Sequence, residues 1–165
     1  MAKTQDDLMA AFAGESQANR KYMAFAEAAE KDGYKGVAKL FRAAAEAETL
    51  HALAEFRIAG HVGDIKANLK AAIDGETYEY TKMYPDFEAD AKAEGRSEAE
   101  RAFTRAKEAE KVHAELYQAA LDNVNKGVNE DADYYLCPIC GYIEKGHAPE
   151  SCPICKAKGS TFKKF

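Results

Sequence analysis

The sequence predicts a mainly α protein in which a four-helix bundle is followed by a small metal-bound module. Two observations predict this architecture. A segment with a Glu-x-x-His motif occurs twice, as FRAAAEAETLHA from Phe41 and as FTRAKEAEKVHA from Phe103, 62 residues later. All four cysteines lie in the last 29 residues, as two Cys-x-x-Cys pairs. An internal repeat of this length indicates a duplicated supersecondary unit, and here it indicates two related helical hairpins.

The length and composition of the chain limit the classes of protein to consider. A chain of 165 residues suits one domain with an appendage, and we expect a bundle over residues 1–128 and a linker with the module over residues 129–165. The net charge of -5 gives no electrostatic reason to expect nucleic-acid binding. The N-terminus MAKTQDDL lacks the apolar core of a signal peptide, and no run approaches the roughly 20 apolar residues of a membrane span. We therefore expect a cytoplasmic protein.

The first hairpin is predicted from an apolar stripe whose steps alternate between four and three residues, the spacing of a bundle-facing helix. Glu15 and Asn19 interrupt this stripe, so they are expected to be buried polar groups that need partners. The second helix is expected from about residue 35 to residue 59, and its stripe includes Glu48 and His51. Both helices of this hairpin therefore direct ionisable groups towards the bundle interior.

The third helix is expected to begin after Asp64, which can cap it, and to carry Glu76 and Glu79 on its stripe. Glu79 is one carboxylate more than the first hairpin has, because the repeat places it opposite Ala18. Pro85 is expected to kink or interrupt this helix, since proline lacks an N–H group and its ring clashes with the preceding turn.

The fourth helix is expected to begin with a capping box at Ser97 and to end near Gly127. It carries Glu110 and His113, the second Glu-x-x-His pair. Residues three apart on a helix share one face, so each such pair directs a carboxylate and an imidazole to one place.

The ionisable residues on the four stripes predict a metal site with two metal ions. Five carboxylates that face one another repel, and their pKa values rise unless cations neutralise them. Carboxylate and imidazole ligands suit iron, manganese or zinc, and the number of carboxylates favours redox-active iron or manganese. A solvated helix face is the better explanation for any one glutamate taken alone, but it does not explain a repeated Glu-x-x-His motif. The predicted metal-binding and catalytic residues are Glu15, Glu48, His51, Glu76, Glu79, Glu110 and His113.

The cysteine pairs Cys137/Cys140 and Cys152/Cys155 predict a second metal site. In a cytosolic chain this spacing favours a metal over disulfides. Zinc and iron both accept four thiolates in tetrahedral geometry, and spacing alone favours a zinc ribbon. Proximity to a redox-active bundle favours iron, because zinc does not carry electrons.

Several motifs together resemble the rubrerythrin family. They are GESQANRKY from Gly14, ETLHA from Glu48, GETYEYTKMYP from Gly75 and the two cysteine pairs, which span almost the whole chain. The segment YLCPICGY from Tyr135 also resembles rubredoxin. The resemblance implies a ferritin-like di-iron four-helix bundle with a rubredoxin-like C-terminal domain.

The resemblance also implies roles for individual residues. Glu48 and Glu110 would bridge the two irons, His113 would bind one iron permanently, and Glu79 and His51 would exchange at the other. Tyr22 and Tyr84 match tyrosines beside the site, although an aromatic residue on a bundle stripe is as often part of the core. The implied cofactors are a di-iron centre, oxo-bridged when oxidised, and one rubredoxin-type Fe(Cys)4. Lys156 follows Cys155 where rubredoxins usually have glycine, so we expect altered amide–sulfur hydrogen bonds there.

The implied function is a non-haem di-iron peroxidase that reduces hydrogen peroxide to water in oxidative-stress defence. A separate NAD(P)H-dependent rubredoxin-type reductase would supply its electrons. The alternatives are a ferroxidase that handles iron, which needs no electron supply, and a zinc-ribbon interaction module on a structural bundle. The helix from His113 to Lys126 covers about 20 Å. The module is therefore expected to lie away from its own di-iron ligands, and a head-to-tail homodimer with electron transfer between subunits is predicted.

Overall fold

The computed structural model describes residues 3–165, which divide into two compact units. The first unit ends at Gly63 and contains two helices, α1 (Lys3–Lys31) and α2 (Lys35–Ile58). The second unit runs from Asp64 to Phe165. Its elements are α3 (Ile65–Tyr78), a π-helical turn (Glu79–Met83), α4 (Tyr84–Ala93), α5 (Ser97–Asn125), β1 (Tyr134–Leu136), β2 (Ile143–Lys145), a 3-10 turn (Gly159–Thr161) and β3 (Lys163–Lys164).

The first hairpin is held together by small side chains. Ala26 of α1 and Ala38, Ala45 and Ala52 of α2 are buried, and alanine allows two helix backbones to approach closely. Gly33 adopts a φ of +86° in the connection between the helices, a conformation that glycine adopts without a Cβ penalty. The hairpin therefore aligns α1 and α2 side by side, and α2 has the bounds predicted from the sequence to within a residue.

The third predicted helix is interrupted by the π-helical turn. The N–H of Tyr84 donates to the carbonyl of Glu79, which is the i to i+5 hydrogen bond of a π turn. Pro85 follows in the first turn of α4, where its missing N–H costs little. The interruption predicted at Pro85 is confirmed, and it takes the form of a π turn that precedes the proline.

The π turn accounts for a one-residue change in the repeat offset. Glu15 matches Glu76 at an offset of 61, whereas the aromatic residues after the turn match at 62. Each unit contains an equivalent triplet of aromatic residues. The ring centroids lie 5.5–6.4 Å apart in the triplet of the first unit and 5.5–6.2 Å apart in that of the second. The triplets are Tyr22, Phe25 and Phe41 in the first unit and Tyr84, Phe87 and Phe103 in the second. The extra residue in the π turn keeps both the glutamate and the aromatic residues directed towards α5.

Only one of the two predicted caps in this unit forms. The Asp64 carboxylate accepts a hydrogen bond of 2.8 Å from the N–H of Ala67 and so caps α3 as predicted. The prediction of a capping box at Ser97 is wrong. Arg96 occupies the cap position without a side-chain hydrogen bond, and Ser97 is already helical.

The cysteine module is a small antiparallel sheet with two metal-binding loops. Its strand order is β2-β1-β3, with Tyr135 of β1 opposite Glu144 on one side and Lys164 on the other. Cys137 and Cys152 are the largest fully buried side chains. A module with so few apolar residues inside depends on its metal site for stability.

Residues 3–165 contain no helix that combines the length and the apolar composition needed to cross a membrane.

Candidate metal centres

Three groups of side chains within the described residues have the composition and spacing of metal sites. In each group the potential ligand atoms lie within 4.8 Å of one another. We call them the first cluster, the second cluster and the cysteine site. The first cluster is Glu15, Glu48 and His51; the second is Glu76, Glu110 and His113; the cysteine site is Cys137, Cys140, Cys152 and Cys155.

The first cluster lies between α1 and α2. His51 Nδ1 is 3.4 Å from Glu48 Oε2 and 3.9 Å from Glu15 Oε2. A hydrogen bond with Glu48, together with burial, raises the pKa of Glu15, as expected where two carboxyl groups face each other without a cation. The His51 side chain is 61% exposed.

Asn19 joins α1 to α2 beside the first cluster. Its side-chain amide donates to the carbonyl of Ala45 at 2.6 Å and to Thr49 Oγ1 at 2.8 Å. Asn19 is buried, as the interrupted apolar stripe predicted. Because Ala45 and Thr49 flank Glu48 along α2, these hydrogen bonds fix the register of Glu15 against Glu48.

The second cluster repeats this geometry between α3 and α5. His113 Nδ1 is 2.7 Å from Glu110 Oε2 and 3.8 Å from Glu76 Oε2. Burial and the hydrogen bond with Glu110 raise the pKa of Glu76 to about 7. The hydrogen bond with His113 lowers the pKa of Glu110. Burial lowers the pKa of His113, but hydrogen bonds with Glu110 and with the backbone outweigh it, so the net shift is upwards.

Glu79 lies near the second cluster without joining it. Burial, followed by the charge of Glu110, raises the pKa of Glu79, and Glu79 in turn contributes to the raised pKa of Glu76. The π turn begins at Glu79, and π turns recur at functional sites in helices. The side chain therefore stands beside the other three groups, close enough to interact with their charges.

The tyrosines near the clusters differ in their surroundings. Burial and the charges of Glu110, Glu79 and Glu76 raise the pKa of Tyr84, so Tyr84 faces the second cluster. Tyr22 packs against aromatic rings, with centroid distances of 6.4 Å to Phe25 and 6.1 Å to Phe41.

His113 also contacts the cysteine module of its own chain. His113 Nε2 is 2.8 Å from the carbonyl oxygen of Gly141, the residue after Cys140. A carbonyl only accepts, so Nε2 carries the proton and Nδ1 is left to face the carboxylates. Gly141 has a φ of +83°, and a Cβ there would lie 4.0 Å from that of Ala109. The positive φ favours glycine at this position, and the loop lies directly on α5.

This contact corrects one expectation from the sequence. The module was expected to lie away from the ligands of its own chain, because α5 continues for about 20 Å beyond His113. The chain instead turns at Gly127, where φ is +72°. The linker at residues 128–133 is long enough, at about 3.3 Å per extended residue, to return the module to His113.

The cysteine site consists of two similar loops. The Sγ atom of Cys137 lies 3.6 Å from that of Cys155 in the opposite loop, and the Sγ atom of Cys140 lies 3.5 Å from that of Cys152. Burial raises the pKa of Cys137, but N–H donors from Ile139 and Cys140 outweigh it and lower that pKa to about 7. Burial raises the pKa of Cys140 and of Cys155. A cation that holds four thiolates offsets this cost.

Lys156 takes the left-handed conformation usual for glycine after the second pair of cysteines. Its φ is +64°, and its N–H donates to the carbonyl of Cys152 at 3.0 Å. Gly141 makes the matching bond to Cys137 at 3.1 Å. The N–H of Ala157 donates to the sulfur of Cys155, so the amide–sulfur hydrogen bond that Lys156 was expected to alter is retained.

The donor atoms of the clusters fit the implied metals. Clusters of carboxylate and imidazole suit hard, redox-active iron or manganese, and a cation bound there would offset the causes that raise the pKa of Glu15. Four converging thiols suit a rubredoxin-type iron. The chain thus carries the Glu and His groups of a di-iron site and the four thiols of an Fe(Cys)4 site.

Sequence reasoning missed two residues beside these groups. Gly141 carried a signal, because it follows a Cys-x-x-Cys pair in the YLCPICGY segment, but its contact with His113 is made across 28 residues of sequence. Glu55 also carried a signal, because it lies four residues after His51 on α2. The charge of Glu55 raises the pKa of Glu15, although its effect is smaller than those of Glu48 and of burial.

Comparison with known proteins agrees with this geometry. A family model described as rubrerythrin matches residues 6–121, and one described as the rubredoxin-like domain of rubrerythrin matches residues 135–163. Nigerythrin of Nitratidesulfovibrio vulgaris is 42% identical over 98% of this chain and 86% of its own. Rubrerythrin-2 of Clostridium acetobutylicum is 38% identical over 99% of this chain and 97% of its own.

A solved structure is also similar. Nigerythrin in its fully reduced, all-ferrous state matches with a TM-score of 0.61 and 41% identity, over 98% of this chain and 86% of that one.

Proposed function

The chain belongs to the rubrerythrin family, and on that basis we propose that it is a non-haem di-iron peroxidase of oxidative-stress defence. The observation that carries the proposal is the hydrogen bond between His113 and Gly141, because it links the cysteine site to the second cluster. A ferroxidase for iron storage has no use for such a link.

The proposed di-iron ligands are the seven residues that the sequence predicts. The first cluster supplies Glu15, Glu48 and His51, and the second supplies Glu76, Glu110 and His113. Glu79 stands beside the second cluster as an additional carboxylate. The four cysteines hold the mononuclear iron, and residues 1–128 and 129–165 serve as the di-iron domain and the linker with its rubredoxin-like domain.

The electron path we propose runs within one chain. It leaves the cysteine site at Cys140, follows the covalent bonds of Gly141 and crosses one hydrogen bond of 2.8 Å to His113. The same hydrogen bond holds the proton on Nε2, so Nδ1 stays available to a metal.

The reaction needs two electrons for each molecule of peroxide. A diferrous pair held by these residues would supply the two electrons that, with two protons, convert one hydrogen peroxide into two waters. Without a cation the pKa of Glu76 is raised to about 7, so this carboxyl group can hold a proton near neutral pH, and the pKa of Glu15 is also raised. The cysteine site then returns electrons one at a time.

The electron donor we propose is a separate NAD(P)H-dependent rubredoxin-type reductase. Cys155 is only partly buried, and its neighbours Pro153 and Lys156 are exposed. This edge of the cysteine site gives a redox protein access that the edge at Gly141 lacks.

An anaerobic optical titration tests the proposed function. The protein is reduced until the absorption band of the ferric thiolate site is bleached, then mixed with one equivalent of hydrogen peroxide or, in parallel, of oxygen. We expect the band to return faster with peroxide. Faster return with oxygen would favour a ferroxidase or oxidase, and the absence of any band in iron-loaded protein would favour the zinc ribbon.

A homodimer is the assembly we propose. Large apolar side chains are exposed on α2, among them Leu40 at 69% and Leu50 at 63%, and apolar surface of this kind is typical of interfaces. Light scattering measures the mass directly, and a monomer at micromolar concentration would contradict this part of the proposal.

A further inference from the structure

Glu55 is an acidic residue of α2 that belongs to neither cluster and to none of the ligand positions implied by family resemblance. It follows His51 by four residues and Glu48 by seven, so all three lie on one face of the helix. The charge of Glu55 contributes to the raised pKa of Glu15, after the hydrogen bond with Glu48 and burial. Glu55 is therefore within electrostatic range of the first cluster.

The Glu55 carboxylate has an oxygen without a partner. Its Oε2 is buried and forms no hydrogen bond with any residue in the described part of the chain. A buried polar atom without a hydrogen-bond partner destabilises the folded state. A cation bound nearby would offset that cost.

The internal repeat independently directs this position towards a cluster. At the offset of 62 that relates His51 to His113, Glu55 corresponds to Tyr117 of α5. Tyr117 lines a cavity together with His113, so this helical position lies beside the second cluster. The same helical position in the first hairpin carries a carboxylate.

We propose that Glu55 is a further metal-binding carboxylate of the first cluster, and this inference rests on the proposed di-iron function. With Glu55, the first hairpin offers three carboxylates and one imidazole, as the second hairpin does with Glu79. Six carboxylates carry the charge that two ferric ions neutralise. The metal is of the iron or manganese class, which accepts carboxylate and imidazole ligands.

Titration with Mn²⁺ tests the proposal without any need for turnover. The full chain, with iron at the cysteine site and no metal at the glutamates, is titrated while the resonance of free Mn²⁺ is followed. Glu55→Gln should weaken the lower-affinity site about tenfold, the size expected for loss of a supporting or ligating group. Glu46→Gln, an exposed glutamate on the same helix, should leave the affinity unchanged. Glu15→Gln sets the scale for loss of a cluster residue.

Thermal unfolding of the metal-free variants separates metal binding from folding. Glu55→Leu should be at least as stable as the parent without metal, because it removes a buried oxygen that has no partner. Glu55→Gln keeps the size and polarity of the side chain, and both variants should bind Mn²⁺ more weakly. Unchanged Mn²⁺ affinity in both variants would overturn the proposal, even if stability rises. A parent protein that binds Mn²⁺ through Glu55 but fails to react with peroxide would overturn the proposed function alone.

Discussion

At the scale of single residues, each cluster places two glutamate carboxyl groups close together, and a bound cation would neutralise them. Glu76 and Glu110 form a hydrogen bond although both are acids, so one of them must carry a proton when no metal is bound. The His113 side chain is 16% exposed, whereas that of His51 is 61% exposed. The second cluster is thus the more buried of the two.

Glu76 should make the stability of the metal-free protein depend on pH. Its pKa is about 7 in the folded state against an ordinary value of 4.5, so its protonated form stabilises the fold. That contribution is complete below about pH 4.5 and is lost as pH rises through about 7. Glu76→Gln mimics the protonated form, so between pH 5 and pH 8 it should gain about 1–2 kcal/mol over the parent, allowing for solvent screening.

Urea unfolding of chelated protein at the two pH values measures this difference. Asp74→Asn changes an exposed acid on the same helix and serves as the control. If the parent and Glu76→Gln lose stability in parallel, the raised pKa of Glu76 has no energetic consequence.

Most of the site residues can be predicted from the sequence, because the Glu-x-x-His motif occurs in both halves of the repeat. Six of the seven predicted residues lie in the two clusters, and Glu79 stands beside the second. Glu55 was not predicted, because a lone glutamate on a helix is usually solvated. Only the structure shows that one of its oxygens is buried without a partner.

At the scale of elements, the π turn between α3 and α4 reconciles two demands on α5. The glutamate and the aromatic triplet must both face α5, yet Glu76 and Tyr84 are eight residues apart where Glu15 and Tyr22 are seven. Because an α-helix turns about 100° per residue, the extra residue would rotate one group away. In the sequence the inserted residue is visible only as a change in the repeat offset. The interruption of the helix was therefore attributed to Pro85 alone.

Deleting Thr81 from the π turn should restore a regular helix and separate the two groups. Tyr84 and Phe87 would rotate by about 100° from Phe103, and loss of aromatic packing should cost about 3 kcal/mol. Thr81→Ala keeps the chain length and removes only the hydrogen bond to the carbonyl of Thr77, a change worth about 1 kcal/mol. Urea midpoints compare the two, and equal midpoints would show that the π turn has no role in packing.

Metal removal should affect the cysteine module far more than the hairpins. The N–H groups of Cys137 and Cys152 each form a 2.8 Å hydrogen bond inside the module, and they should exchange with solvent rapidly once the metal is chelated. Cys152→Ser should show the same loss, whereas Ser151→Ala should retain slow exchange. Amide hydrogen exchange followed residue by residue makes the measurement, and protected amides in the stripped module would contradict metal-dependent folding.

At the scale of the whole molecule, the hairpins and the module were predictable, whereas the position of the module on α5 was not. The helix pattern sets the length of α5, but it carries no information on the direction of a polar linker. The turn at Gly127 and the fit of Gly141 against Ala109 decide that direction. The turn at Gly127 is local, but the contacts of Gly141 with Ala109 and His113 join residues far apart in sequence.

The position of the module makes a prediction about subunits that differs from the one drawn from sequence. One chain carries Cys152→Ser with Cys155→Ser and lacks the mononuclear iron; the other carries His113→Ala and lacks the histidine that Gly141 contacts. If electrons cross between chains, a dimer of these two chains retains one intact route. If electrons pass through Gly141 to His113 of the same chain, as the 2.8 Å contact favours, neither route is complete.

Heterodimers purified through two different tags distinguish these outcomes by their rate of peroxide reduction. We expect no more activity than the two variants show alone. A heterodimer of the unaltered chain with His113→Ala is the control, because it keeps one complete route under the within-chain scheme and should stay active. If the heterodimer of the two deficient chains is as active as that control, electrons cross between subunits. The link from Cys140 through Gly141 then positions His113 and does not transfer electrons.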